Sequence, residues 1–290
     1  MAVVGRVAEL RRYPVKSMLG ESIGQSEFSQ RGLAGDRAYA LIDSETGKLV
    51  SAKRPRLWGH MFQLSASYDN PPILGASPSP VIITFPDGSC LPSDDSDVDR
   101  KLSEVLGRKV SLVSKTDDTA ILDEVWIKEK QAEPYGPVVG SEGADRLIEL
   151  PASLGSPPGT FFDYAPIHLV TTATIRTLAK AYPAGAFDVP RFRPNVVVEV
   201  PDEGFLENEW LGRALRLGDT VAIELNLPTP RCVMTTLPQG DLPKDAGILR
   251  TAAQVNPRDF GPFQGQPCVG VYADVVTGGA VRVGDDVRLE

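Results

Sequence analysis

The residues around position 232 are those best suited to chemistry. Cys232 lies in PTPRCVMTT, directly after Arg231 and shortly before the hydroxyls of Thr235 and Thr236. A neighbouring guanidinium favours the thiolate over the thiol, and a thiolate is both a good nucleophile and a soft ligand for a transition metal. A small buried hydrophobic residue is the alternative interpretation of any such cysteine. The sequence around Cys232 leaves both interpretations open.

Three other segments carry cationic residues at loop–strand junctions. These are RFRPNVVVEV at 191–200, PVKS at 14–17 and GLAGDRAYALI at 32–42. Arginines at the mouth of a barrel can grip a phosphate or carboxylate through paired hydrogen bonds, although each motif alone is also typical of a solvated strand entry. At Thr171 a helix start could offer a hydroxyl and backbone N–H groups to an anion, and simple N-capping explains the same residue.

Composition excludes several kinds of site and partner. With 30 Lys and Arg against 38 Asp and Glu, the net charge of −8 opposes binding to nucleic acid. Cys90, Cys232 and Cys268 are too far apart for a local zinc or iron–sulfur site, and we interpret Cys90 and Cys268 as structural. The apolar run in the opening residues MAVVGRVAELRR is too short for a signal peptide, and no later run approaches the length of a membrane span, so we expect a cytoplasmic protein.

Short β-type runs between scattered Gly (27) and Pro (25) residues predict a mainly β fold with a few helices. AYALI and KLVSA flank a turn at 43–47 and predict a hairpin, and VIITF ends in a second turn at 86–88. Helices are predicted after Asp97, with Gly107 as the stop, and over 171–182. We place a domain boundary near residue 116, which divides the chain into 1–116 and 117–290.

The chain also contains an internal repeat. GRALRLGDTVAIE (212–224) and GGAVRVGDDVRLE (278–290) share seven of thirteen positions, and each carries Gly-Asp between two β-type runs. We expect the two copies to form equivalent hairpins of a closed or nearly closed sheet, with chance similarity as the alternative.

Taken together and in order, these segments resemble the MOSC superfamily, in the branch with an N-terminal β-barrel that includes the amidoxime-reducing components. The matching segments span nearly the whole chain: PVKS, GDR, SAKRPRL, FFDYAPIHLVT, RFRPNVVVE, ENEWLGRALRLGD, RCVMTT, ILRTA and VRVGDDVRLE. The resemblance implies an N-terminal β-barrel domain at 1–116 followed by a MOSC β-barrel at 117–290.

The resemblance also implies a set of site residues. Cys232 would be the protein ligand of molybdenum in a pterin cofactor, and Asp163 would lie near the open side of the metal. Residues around the pterin and its phosphate would be Lys16, Ser17, Arg37, Thr171, Arg193, Asn195 and Arg231. At Thr229 and Pro230 the chain departs from the family pattern, so no role is carried over to them. Pyridoxal phosphate is not expected.

By the same resemblance the chain would reduce N-hydroxylated compounds with the molybdenum cofactor. The chain lacks a four-cysteine [2Fe–2S] motif and a dinucleotide fingerprint, so electrons would come from a separate ferredoxin- or cytochrome-type protein with its reductase. Two alternatives stay open. One is sulfur transfer or cofactor maturation with a persulfide on Cys232, and the other is a carrier that holds the cofactor without turnover.

Overall fold

The structure, a computed structural model, describes residues 2–115, 120–126, 138–142, 145–151, 160–261 and 263–290 of the chain. The predicted domain boundary at 116 lies outside the described residues and stays a prediction. The chain divides into two compact units, and both are discontinuous in sequence. Unit 1 consists of Met1–Arg12, Glu21–Ala34 and Ala165–Glu290, and unit 2 consists of Tyr13–Gly20 and Gly35–Tyr164.

The described residues form twenty strands and five α-helices, together with three short 3₁₀ segments. The strands are β1 (Ala2–Arg12), β2 (Glu21–Ile23), β3 (Gln25–Ser29), β4 (Gly32–Leu33), β5 (Ala40–Asp43), β6 (Ser65–Tyr68), β7 (Val81–Thr84), β8 (Cys90–Pro92), β9 (Val110–Val113), β10 (Ile121–Trp126), β11 (Val138–Glu142), β12 (Asp145–Pro151), β13 (Ile167–Thr171), β14 (Val196–Glu199), β15 (Ala214–Leu217), β16 (Val221–Pro230), β17 (Pro257–Phe260), β18 (Phe263–Thr277), β19 (Gly279–Arg282) and β20 (Asp286–Leu289). The helices are α1 (Pro55–Trp58), α2 (Val98–Leu106), α3 (Thr172–Ala181), α4 (Val189–Phe192) and α5 (Gly247–Val255). This confirms the predicted mainly β fold with few helices.

Unit 1 contains a closed seven-stranded barrel. Its strands follow the order β13, β14, β1, β20, β15, β16, β18, and β18 pairs with β13 to close the sheet. Leu169 and Val196 point into the barrel core, whereas Val170 and Val197 belong to a second apolar cluster shared with α3 and α5. Because both faces of β13 and β14 are covered, apolar residues follow one another at Leu169–Val170 and Val196–Val198 instead of alternating with polar ones. Each such buried side chain contributes about 1.5–3 kcal/mol.

The two copies of the repeat differ in structure, and the prediction of equivalent hairpins is wrong for the second. In the first copy β15 and β16 form the expected hairpin around Gly218 (φ 61°). In the second copy β19 pairs with β3, and β20 pairs with β1 and β15. The turn between β19 and β20 bonds to neighbouring backbone instead, since Gly284 N–H donates to Val7 O and Val283 N–H to Gly24 O. These bonds draw the two strands into different sheets.

The described residues of unit 2 form three small sheets together with α1 and α2. Strand β5 pairs with β9, β7 lies between β6 and β8, and β12 lies between β10 and β11. The predicted hairpin at 43–47 is present, with Gly47 at φ 69° and a backbone bridge between Ile42 and Leu49. Helix α2 ends at Gly107 as predicted. The carboxylate of Asp97 does not cap the helix and accepts a hydrogen bond from Arg100 instead.

No helix formed by the described residues is both long enough and apolar enough to cross a membrane.

Candidate functional site

Cys232 lies where β16 ends and a 3₁₀ turn, Val233–Thr236, begins in unit 1. The side chain is half-buried. Thr235 donates to the carbonyl of Cys232 from both its N–H (3.2 Å) and its hydroxyl (3.0 Å), and Thr236 Oγ1 donates to Val233 O at 2.7 Å. The two hydroxyls noted in the sequence therefore hold the turn together and fix the backbone that carries the thiol.

The other two cysteines have different surroundings. Cys268 is buried opposite Pro230, and burial raises the pKa of its thiol to about 12 even though Arg231 and Arg258 act in the opposite direction. Cys90 is exposed at the edge of unit 2. A thiol that stays protonated is a poor nucleophile and a poor metal ligand, which supports a structural role for Cys268.

The segment RFRPN places its two arginines in different positions. Arg191 is completely buried in α4, and Arg193 follows the helix with a left-handed backbone (φ 56°) and 7% of its surface exposed. Asn195 is also buried, and its amide joins two strands. Asn195 Oδ1 accepts from His168 N–H at 3.1 Å and Nδ2 donates to Arg11 O at 3.3 Å. The predicted cofactor contact of Asn195 stays a prediction beside this structural role.

Arg231 joins the cysteine turn to RFRPN. Its Nη2 donates to Phe192 O at 2.8 Å, and its N–H donates to Pro267 O at 2.7 Å. Three buried polar atoms within the described segment 229–239 have no hydrogen-bond partner: Thr229 Oγ1, Arg231 Nε and Gln239 Oε1. Buried polar atoms are almost always paired in folded proteins, so these three atoms have hydrogen-bonding capacity left for a polar group near the cysteine turn.

Thr171 is committed to a buried network in unit 1. It caps α3 by accepting from Thr174 N–H at 3.2 Å, and its hydroxyl donates to Glu207 Oε2 at 2.7 Å. Burial raises the pKa of Glu207, and hydrogen bonds from Thr171 and Thr174 oppose that effect. N-capping thus accounts for the threonine, and its predicted cofactor contact stays a prediction. Glu207 was missed by sequence reasoning because a glutamate in ENEW gives no sign of burial.

In unit 2, Lys16 and Asp163 form a close ion pair. Lys16 is 4% exposed, and its Nζ donates to Asp163 Oδ1 at 2.5 Å and to Phe161 O at 3.1 Å. Burial lowers the pKa of Lys16, and Asp163 opposes that effect. Burial would raise the pKa of Asp163, but Lys16, Lys53 and Arg37 outweigh it and hold that pKa well below its usual range. An ionised Asp163 can act as a counterion but not as a proton donor at neutral pH.

Two further cations lie close to this pair. Lys53 Nζ is 3.6 Å from Asp163 Oδ1, and the guanidinium of Arg37 contacts Asp36 and stacks 4.6 Å from the centre of the Tyr13 ring. The resulting cluster of Lys16, Arg37 and Lys53 is called the unit 2 cation cluster below. Lys53 lies in SAKRPRL, and it was missed because a lysine after a strand is usually a surface residue.

Backbone strain coincides with the predicted site residues. Among the described residues, those other than glycine with positive φ are Ser17 (64°), Arg37 (45°) and Arg193 (56°). All three belong to the predicted set. Such conformations cost about 1–3 kcal/mol each and concentrate at functional sites. Ser17 is also buried, where its hydroxyl accepts from Ala52 N–H at 3.1 Å.

Comparison with family models decides the family. A MOSC N-terminal beta barrel domain model matches residues 4–122, and a MOSC domain model matches residues 157–288. The chain belongs to the MOSC-domain superfamily. This MOSC protein is 28% identical to mitochondrial amidoxime reducing component 2 of Homo sapiens, over 98% of this chain and 83% of the relative. It is 25% identical, with the same coverage, to the same component of Rattus norvegicus.

Among solved structures, the YUAD protein from Bacillus subtilis matches 98% of this chain and 94% of its own, with 11% identity and a TM-score of 0.42.

Each unit of the MOSC protein, taken by itself, offers groups that suit a molybdenum pterin cofactor. In unit 1 the half-buried thiol of Cys232 is a soft ligand, and the unpartnered atoms of Thr229, Arg231 and Gln239 can accept or donate to a ring rich in hydrogen-bonding groups. In unit 2 the three cations of the cation cluster outnumber the two carboxylates that they contact, those of Asp163 and Asp36, and the excess positive charge suits an anionic phosphate. The donor set therefore fits the group.

Proposed function

We propose that this MOSC protein is a molybdenum-cofactor-dependent reductase of N-hydroxylated compounds. The observation that carries the proposal is the half-buried Cys232 thiol on a turn bracketed by arginines, within a chain that is similar along 98% of its length to amidoxime reducing components. When bound, the cofactor supplies two-electron chemistry at a metal that can accept oxygen from an N–O bond.

In unit 1, Cys232 would ligate the molybdenum, and Arg193 and Arg231 would bind the pterin. In unit 2, Lys16, Ser17 and Arg37 would bind an anionic part of the cofactor, and we add Lys53 to them. Lys16 and Lys53 both lie within ion-pair distance of the Asp163 carboxylate. The proton needed for N–O cleavage has to come from another group or from water, because the pKa of Asp163 is held well below its usual range.

Two electrons are consumed per N–O bond, so the protein needs an electron donor. We propose a separate ferredoxin- or cytochrome-type protein with its reductase, since the sequence has no dinucleotide fingerprint and no four-cysteine cluster. A cytoplasmic location and a small N-hydroxylated substrate complete the proposal.

The test compares protein purified from a molybdenum-replete host with protein from a host that cannot make the cofactor. We expect about one molybdenum per chain in the first preparation and none in the second, and amidoxime reduction by reduced viologen in the first alone. The Cys232→Ala variant should lose the metal and the activity, whereas Cys90→Ala, as a matched control, should keep both.

Two results would replace this function with another. Molybdenum at full occupancy without turnover of any N-hydroxylated compound would favour a cofactor carrier. A chain without tightly bound molybdenum that carries a persulfide on Cys232 after incubation with a sulfur donor would favour sulfur transfer.

A further inference from the structure

Arg191 is a buried cation held mainly by carbonyl groups. Its side chain makes four hydrogen bonds to backbone oxygens. They run from Nε to Ala186 O (2.9 Å), from Nη1 to Thr235 O (3.1 Å) and Leu237 O (3.2 Å), and from Nη2 to Pro243 O (3.0 Å). A fully buried arginine is uncommon and is usually paired with a carboxylate. Only the planar fork of arginine can reach acceptors in these several directions.

The acceptors of Arg191 show what the side chain holds. One lies on its own segment, just before α4, and the other three lie in the stretch 235–243 that follows Cys232. The guanidinium thus ties the far side of the cysteine turn to the RFRPN segment. Asp188 and Asp245 add a weaker attraction.

Arg231 makes the reverse connection. It lies one residue before Cys232, and it donates to the carbonyl of Phe192, which is the residue between Arg191 and Arg193. Each of the two segments therefore sends an arginine to the backbone of the other. Cys232 lies between the two attachment points, and Arg193 directly follows the peptide group that Arg231 binds.

We propose that Arg191 is a positioning residue that, in a reciprocal clasp with Arg231, fixes the orientation of Cys232. The role of the thiol as a metal ligand rests on the proposed function, but the clasp itself is a property of the polypeptide. The prediction is that weakening the Arg191 contacts loosens the turn at Cys232 while the barrel stays folded.

Arg191→Lys is the informative variant, because it keeps a buried cation but cannot supply the four donors. Arg176→Lys is the matched control. Arg176 is an exposed arginine of unit 1 that also binds three carbonyls, those of Val200, Pro201 and Asp202. Both changes are made in a Cys90→Ser background, so that the exposed thiol does not interfere.

The readout is the rate at which iodoacetamide alkylates Cys232 in protein from the cofactor-free host, at one fixed pH. Losing one buried hydrogen bond shifts a local opening equilibrium by about fivefold. Because the turn at Cys232 should open more often, we expect Arg191→Lys to raise the alkylation rate by at least about fivefold. Arg176→Lys should leave the rate unchanged. Equal rates in the two variants, together with a lower melting temperature for Arg191→Lys, would mean that Arg191 only supports folding. That result would overturn the proposal.

If Arg191→Lys does not fold, hydrogen exchange of the unmodified chain tests the clasp instead. The amides of Thr235 and Leu237 should be protected as strongly as those of β15 and β16, and exchange as fast as that of the exposed turn at Gly88 would overturn the clasp. Molybdenum content of the loaded variants separates the two proposals. If the clasp passes these tests but the chain binds no molybdenum, the positioning role of Arg191 stands and the proposed reductase function is excluded.

Discussion

The ion pair between Lys16 and Asp163 can be measured by a double-mutant cycle of Lys16→Met and Asp163→Asn. Two unit charges about 4 Å apart attract by about 1 kcal/mol in water and about 4 kcal/mol at an effective dielectric constant of 20. Lys16 is buried, but 38% of the Asp163 side chain is exposed to solvent, and Lys53 remains 3.6 Å away in the Lys16→Met variant. Screening therefore places the expected coupling energy in the lower part of this range, at about 1–2 kcal/mol.

Denaturant unfolding of the wild type, both single variants and the double variant gives this coupling energy. The exposed pair Lys180–Glu203 (3.1 Å), changed to Met and Gln, is the control and should couple by less than about 0.5 kcal/mol. The lowered pKa of Asp163 adds a pH signature. The stability that ionised Asp163 contributes is fully present above its unfolded pKa of about 3.9, and it is lost as the pH falls through the lower pKa of the folded state. A coupling energy no larger than that of the surface pair would refute the assignment of a strong buried contact.

Three further predictions concern thiols, a buried acid and electron supply. Cys268→Ala should lower stability by about 1–2 kcal/mol in denaturant unfolding and leave the molybdenum content unchanged, because we expect this buried thiol to pack in the core and not to bind the metal. Because the pKa of Glu207 is raised in the folded state, stability that is present at low pH is lost as the pH rises through that folded pKa. Glu207→Gln should therefore reduce the fall in melting temperature between pH 5 and pH 8. An unchanged fall would exclude ionisation of Glu207 as its cause. The chain alone should not oxidise NADH or NADPH in the presence of an amidoxime, and a spectrophotometric assay that detects such oxidation would reveal a redox site that the sequence does not show.

The elements that the sequence predicted correctly are those with local signals. The hairpin at 43–47 follows from a glycine flanked by two β-type runs, and the capping of α3 by Thr171 follows from a threonine after an apolar run. Helix α2 was predicted to follow Asp97, and it ends at the predicted glycine, Gly107. In each case the interactions that decide the structure lie within a few residues of one another.

Long-range pairing was not predictable in the same way. Strand β1 joins the barrel by pairing with β14 and β20, nearly 200 residues or more further along the chain, and no local pattern in residues 2–12 indicates those partners. The second copy of the repeat was misassigned for the same reason, because its turn is bound by Val7 and Gly24. The role of Arg191 at the site was unpredictable for the same reason. Its four acceptors are spread over residues 186–243, so its role depends on a fold that the sequence motif does not reveal.

The three strained residues give an argument about the site that does not depend on resemblance. Glycine adopts positive φ at little cost, and it does so at many turns of this chain, whereas a side chain in that conformation costs about 1–3 kcal/mol. Ser17, Arg37 and Arg193 stand at positions where glycine would have a lower backbone conformational energy. The Ser17 hydroxyl is explained by its bond to Ala52, and Arg37 is explained in part by Asp36 and Tyr13. The backbone cost at Arg37 and Arg193 supports the anion-binding role that is proposed for these two residues.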